Sequence, residues 1–141
     1  MTRYLLDTNL ISNVVKPAPS EALLAWLANQ NDQDLFIASL TLAEIQRGIL
    51  ELPTGKRRKD LEAWFKGPEG PSELFAGRIL PFDDKPALIW ARLMAEGKRQ
   101  GRPRSALDTI IAAVGMANNC IVATDNERDF EGVEMFNPIR D

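Results

Sequence analysis

Asp7, Glu44, Asp108 and the pair Asp125 and Asp129 stand where chain elements begin or end, and the chain has no histidine. Carboxylates are therefore its main groups for chemistry near neutral pH. Side chains that offer only oxygen favour hard divalent cations such as Mg²⁺ or Mn²⁺. Such ions activate water and stabilise charge on a phosphoryl oxygen. Acids gathered on one rim repel each other, and a cation among them relieves the repulsion. The expectation is a metal-dependent hydrolase with an acidic pocket. Thr8, Asn9, Thr124 and Asn126 lie beside the acids and could orient ligands or water.

Each acid also has a structural reading. Thr41-Leu42-Ala43-Glu44 has the form of a capping box, in which Glu44 would reach back to the cap amide. Ser105-Ala106-Leu107-Asp108 is a similar pattern, and an acid in a first turn complements the helix dipole. Asp7 could cap a short helix after it, while Asp125 and Asp129 could be turn residues. Other active-site types fit poorly. Without histidine there is no Ser-His-Asp or Cys-His arrangement. Neither G-x-G-x-x-G after the first strand nor G-x-x-x-x-G-K-[ST] occurs. A carboxylate pair could cleave glycosides, but aromatic residues make up only 7% and leave little for a sugar platform.

The elements that must position these groups alternate in type. Tyr4-Leu5-Leu6, Leu35 to Ala38, Arg78 to Phe82, Cys120 to Ala123 and Val133 to Phe136 read as strands. Pro81 marks the third as short or at an edge. Helices are expected over Leu10 to Val15, from a Ser20 cap to Asn29, from Thr41 to Pro53 and over Thr54 to Lys66. Two more run from an Asp84 cap to Gly101 and from Ser105 to Asn118, while Gly67 to Pro71 is the clearest loop. Strands separated by helices predict an α/β domain with a largely parallel sheet. Ligands of such sheets collect beyond the carboxyl ends of the strands. Asp7 and Thr124-Asp125 follow the first and fourth strands directly, so they share one rim.

A chain of 141 residues, 45% apolar and 26% charged, suits one globular domain over residues 1–141. No apolar run approaches the roughly 18 residues that span a bilayer, and the start has no signal-peptide pattern. The lone Cys120 reads as a buried strand residue, and a reducing cytoplasm is the expected location. A net charge of −3 argues against broad charge-driven nucleic-acid binding. Two local basic patches run against it: Lys56 to Lys59, and Lys98, Arg99, Arg102 and Arg104 ahead of Asp108. The first reads as a solvated face. In the second, close in sequence to Asp108, Arg99, Arg102 and Arg104 are candidate nucleic-acid contacts.

Four segments together resemble the PIN-domain family: L-L-D-T-N around Asp7, T-x-A-E-I around Glu44, A-L-D-T-I-I-A-A around Asp108, and V-A-T-D-N-x-x-D-F around Asp129. I-S-N-V-V-K-P, A-G-R-I-L-P-F-D and F-N-P are most similar to the FitB-like branch of VapC toxins. The resemblance covers about Tyr4 to Pro138. It implies five parallel strands flanked by helices and a Mg²⁺- or Mn²⁺-dependent endoribonuclease, the toxin of a type II toxin–antitoxin pair. Carried across, Asp7 and Asp108 would bind metal directly, and Glu44 would bind metal or position the water. Thr8 or Asn9 and Thr124 would support the site. It also implies a homodimer, and a small VapB- or FitA-like DNA-binding antitoxin that covers the pocket and joins the toxin on operator DNA. Asn126 stands where the branch often has an acid, flanked here by Asp125 and Asp129. Which of the three is the fourth site residue, and whether one ion or two bind, stays open at this point. The alternative is a catalytically silent PIN-like module that only binds proteins.

Overall fold

The computed structural model describes residues 2–140. Five short apolar strands form its centre: β1 (Tyr4–Leu6), β2 (Leu35–Ala38), β3 (Ile79–Leu80), β4 (Ile121–Ala123) and β5 (Met135–Phe136). They pair in the order β3-β2-β1-β4-β5, and every pairing is parallel. Parallel strands are covered by helices on both faces, which is why they read as nearly continuous apolar runs. Alternation sends successive residues to opposite faces. Leu6, Ile37 and Ala123 pack into one core, with Leu10, Leu23, Ile45 and Phe75. Leu5, Ala38 and Val122 pack into the other, with Leu93, Ile111, Val114 and Phe130.

The helices are α1 (Thr8–Val14), α2 (Glu21–Ala28), α3 (Ser39–Leu50), α4 (Lys56–Lys66), the single turn α5 (Pro71–Leu74), α6 (Asp84–Arg99) and α7 (Ala106–Ala117). From β1 the chain winds outward to β2 and β3, then returns to place β4 on the other side of β1. The direction of winding therefore reverses between β1 and β4. Such a reversal opens a crevice at the carboxyl ends of the two strands. Asp7 ends β1 at that crevice and Thr124 ends β4.

α7 lies unusually close to the sheet. A side chain at Gly115 would bring its first carbon within 3.2 Å of a Val122 methyl group, so glycine permits the approach. No helix of the described residues is long and apolar enough to cross a membrane.

Several boundaries differ from expectation. α1 starts at Thr8 rather than Leu10, because Asp7 caps it, and β3 and β5 are shorter than expected, at Ile79–Leu80 and Met135–Phe136. α3 starts at Ser39 with Ala38 as its cap, not at Thr41. β2 runs straight into this helix, so the end of the strand sets its start. α4 starts at Lys56 rather than Thr54, after Gly55. Asp83, not Asp84, caps α6, and its side chain makes no capping hydrogen bond. Ser105 caps α7 as expected, its hydroxyl accepting from the Asp108 amide at 3.4 Å.

Candidate active site

Asp7 belongs to both a strand end and a helix start. Its amide donates to the Ala123 carbonyl at 2.9 Å, continuing the sheet, and its carbonyl accepts from Leu10. Its side chain caps α1, with Oδ1 accepting from the Thr8 amide at 2.8 Å. Oδ2 accepts from the Thr124 hydroxyl, also at 2.8 Å. Asp7 is only 4% exposed. Burial pushes its carboxyl above the ordinary range, and the charges of Glu44 and Asp129 add to the rise. The bonds from Thr124 and Thr8 oppose it. The capping reading of Asp7 is therefore correct, but a cap has no need to be buried among other acids.

Glu44 is not part of a capping box. It lies in the second turn of α3, beyond reach of the cap. Thr41 is fully buried inside the helix and faces α1. The Thr8 hydroxyl donates to Glu44 Oε1 at 2.6 Å and lies 3.2 Å from Thr41 Oγ1. Glu44 is thus held across the interface between α1 and α3, on the Asp7 side.

Asp108 enters from the first turn of α7, fixed by the Ser105 cap and by a Thr109 hydroxyl that donates to the Ser105 carbonyl at 2.6 Å. Its carboxyl is pushed up from 3.8 to about 6. Burial is the largest cause, followed by a hydrogen bond shared with Asp129 and by the charges of Asp7 and Asp129. Asp129 lies on a 3₁₀ turn, Glu127–Phe130, anchored by the fully buried Phe130. A side chain of that size contributes about 1.5–3 kcal/mol by burial, enough to hold the turn against the core.

The Asp125-Asn126-Asp129 stretch divides its labour. The Asn126 amide donates to Thr124 Oγ1 at 2.9 Å, and its side chain donates to Asp129 Oδ2 at 2.7 Å. Asn126 therefore orients Asp129, and Asp129 is the acid that reaches Asp7 and Asp108. Asp125 is exposed and turned to the C-terminal segment, where Asn137 donates to it at 3.3 Å. Asn9 is also exposed, and Thr8 rather than Asn9 supports the cluster.

The site thus gathers Asp7, Glu44, Asp108 and Asp129 from four separate stretches of chain. Among the described residues none of them is ion-paired with a lysine or arginine. Unpaired buried charge is costly, and the raised carboxyls are its signature. The donor chemistry fits a hard cation, which would neutralise what no basic residue does. As positioned, no three acidic or cysteine side chains of the described residues converge tightly enough to hold an ion. The carboxylates are instead turned toward Thr8, Thr124 and Asn126. Cys120 lies in the core at the start of β4, and burial pushes its thiol up, which is the wrong direction for a nucleophile.

The second basic patch is split. Arg102 and Arg104 line a groove that opens beside Asp129, whereas Arg99, at the end of α6, does not. Arg128 lines the same groove from the opposite side. The sequence reading passed over Arg128, although its place next to Asp129 was a usable signal. In the first patch, Lys56 and Arg58 are ion-paired along α4 with Asp60 and Glu62, as a solvated face would be.

Comparison with known proteins agrees with this architecture. Residues 4–134 match the PIN domain. The VapC ribonuclease Y4jK of Sinorhizobium fredii is 38% identical over 135 residues, covering 94% of this chain and 95% of that protein. Toxin FitB of Neisseria gonorrhoeae is 37% identical over 139 residues, covering 97% and 99%. A FitAB complex bound to an IR36 DNA fragment contains a similar fold, with a TM-score of 0.87, 36% identity, and 96% and 94% of the two chains covered. The expected five-stranded parallel fold is the one observed, and the chain belongs to the PIN-domain family, in its VapC and FitB branch.

Proposed function

We propose that this protein is the toxin of a type II toxin–antitoxin system and an endoribonuclease dependent on Mg²⁺, with Mn²⁺ able to replace it. One observation carries the reading: four carboxylates meet at the sheet's switch point with no basic partner among the described residues. The ribonuclease and toxin names of the relatives support the same reaction class.

Asp7 and Asp108 would hold the ion, with Glu44 and Asp129 as further oxygen donors on the same rim once the carboxylates turn toward it. Bound there, the ion supplies a Lewis acid for a phosphoryl oxygen and a water of lowered pKa. The chain's own residues provide the preorganisation. Thr124 fixes Asp7, Thr8 fixes Glu44 and Asn126 fixes Asp129, each through a hydrogen bond of 2.6–2.8 Å. Burial, the hydrogen bond with Asp129 and the charges of Asp7 and Asp129 raise the Asp108 carboxyl, and a bound cation would lower it again. Glu44 uses only Oε1 toward Thr8, so its other oxygen can accept from a water. In hydrolysis, the water oxygen bonds to phosphorus, a P–O bond breaks, and a proton passes to the leaving oxygen.

The relatives' complexes support a further part of the reading. We infer that this chain forms a homodimer and is covered by a small DNA-binding antitoxin, the two acting together on operator DNA. The lone buried Cys120 suits a reducing cytoplasm.

The test is cleavage of mixed RNA by the purified protein, with Mg²⁺, with chelator, and with Asp108→Asn in parallel. Cleavage that needs the metal and disappears in the variant is the expected result. A folded, metal-loaded wild type that cuts no RNA would favour a silent binding module instead.

A further inference from the structure

The groove beside Asp129 has a construction of its own. Its walls are the loop between α6 and α7, with Arg102, Pro103 and Arg104, and the turn that carries Arg128, Asp129 and Glu131. Its volume of about 650 Å³ lies within the range of sites that take small ligands.

Arg104 is built into this groove rather than spread over the surface. Its Nη2 donates to the Glu131 carbonyl at 2.9 Å. That acceptor is neutral, so the guanidinium is oriented without losing its charge. A glycine makes room for it. A side chain at Gly97 would bring its first carbon within 3.2 Å of Arg104 Cγ and 2.8 Å of the Arg102 carbonyl. Gly132 serves its backbone instead, at a positive φ of 83°, and a first carbon there would lie at an ordinary contact distance from Arg104 Nη2. The neighbouring arginines are in different states. Arg102 is ion-paired with Glu131 at 3.6 Å, both largely exposed. Arg128 has no carboxylate partner among the described residues.

A held but uncompensated arginine recognises an anion of fixed geometry, and phosphate is the anion a guanidinium fork fits best. The groove is continuous with the acid cluster through Asp129, which belongs to both. A polyanion approaching four carboxylates needs a cationic foothold outside them. We propose that this groove is a phosphate subsite that binds the RNA strand beside the bond to be cut. Arg104 is its fixed anchor, Arg128 is its open arm, and Glu131 competes with phosphate for Arg102. This rests on the ribonuclease reading and assigns the strand's path across the site. The sequence patch is thereby narrowed, with Arg99 excluded and Arg128 added.

The subsite can be tested apart from catalysis. Binding of a fluorescent single-stranded RNA of about ten nucleotides is measured in chelator over a series of salt concentrations. Arg104→Ala should weaken binding about tenfold at low salt. It should also reduce the slope of log K against log salt by about 0.7, the value for one lost phosphate contact on a single strand. Arg128 has no carboxylate partner among the described residues, so Arg128→Ala separates binding from folding and should reduce the slope similarly. Lys59→Ala removes the same charge from α4 and should leave the slope at the wild-type value. With Mg²⁺ present, Arg104→Ala should raise KM while kcat stays close to wild type. A wild-type slope and KM in both Arg104→Ala and Arg128→Ala would overturn the subsite while cleavage by the wild type still upholds the ribonuclease. A wild type that neither binds nor cuts RNA would overturn both. An acidic peptide that binds the groove, with RNA binding unaffected by the two variants, would also overturn it.

Discussion

Replacing Asp108 with asparagine should make the metal-free protein more stable at neutral pH. The Asp108 carboxyl titrates at about 6 rather than 3.8, first through burial, then through Asp129 and the charge of Asp7. A raised value means that the folded state holds the proton more tightly than the unfolded chain. Below about pH 4 both states are protonated, and the carboxyl contributes nothing to the difference. As pH rises from about 4 to 6 the unfolded chain ionises first, and the folded protein loses stability. Above about pH 6 that loss is complete. The interval from 3.8 to about 6 corresponds to at most about 3 kcal/mol, at about 1.4 kcal/mol per pH unit. Asp108 is only half-buried, so water screens much of this and a gain of about 1–2 kcal/mol is expected. Asparagine is nearly isosteric and keeps the amide that bonds to Ser105, so the helix cap survives. The assay is urea unfolding in chelator, near pH 7.5 and near pH 4. The variant should be more stable than wild type at the higher pH, and the two should coincide at the lower. A variant equal to or weaker than wild type near pH 7.5 would refute the claim that burial and the neighbouring acids destabilise the ionised Asp108 in the fold. The same gain at both pH values would show that the effect is not electrostatic. Stability gained by removing a site residue is the pattern expected of a strained functional site.

Thr124→Val removes the hydroxyl that bonds both Asp7 and the Asn126 amide, at nearly constant volume. It should cost about 2–3 kcal/mol near neutral pH and push the Asp7 carboxyl higher still; a loss under about 0.5 kcal/mol in urea unfolding would contradict the network. Asn137 is 7% exposed and donates to Asp125 and Glu127 while accepting from the amides of Ile139 and Arg140. Asn137→Ala should cost about 1–3 kcal/mol and speed amide exchange across residues 125–130; unchanged exchange there would mean that Phe130 alone holds the turn.

Much of this architecture is legible in the sequence because local and global signals agree. Tyr4-Leu5-Leu6 reads as a strand because a parallel strand is buried on both faces, and Ser105 reads as a cap because its hydroxyl performs that local task. Asp7 and Thr124 could be assigned to one rim because both follow strands directly. Glu44 misleads for the opposite reason. Thr41 and Glu44 have capping-box spacing, but both side chains are used across the interface with Thr8, a contact spanning 36 positions in the case of Glu44. The fourth acid was equally hidden. Asp125, Asn126 and Asp129 are close in sequence, and only the burial of Phe130 and the turn it anchors send Asp129 inward and leave Asp125 outside. Arg104 and Arg128 are 24 positions apart by number, so their shared groove required the fold.

On the proposed function, Asp7, Glu44, Asp108 and Asp129 act together on RNA while Asp125 stands outside. The most direct measurement compares Mg²⁺-dependent RNA cleavage by Asp7→Asn, Glu44→Gln, Asp108→Asn, Asp129→Asn and Asp125→Asn, each confirmed as folded. A loss of at least about a hundredfold is expected in the first four, on the scale of removing a preorganised electrostatic contact from a catalytic site, with activity within a few-fold of wild type for Asp125→Asn. Wild-type activity in Asp129→Asn, or a collapse in Asp125→Asn as deep as in Asp108→Asn, would contradict it.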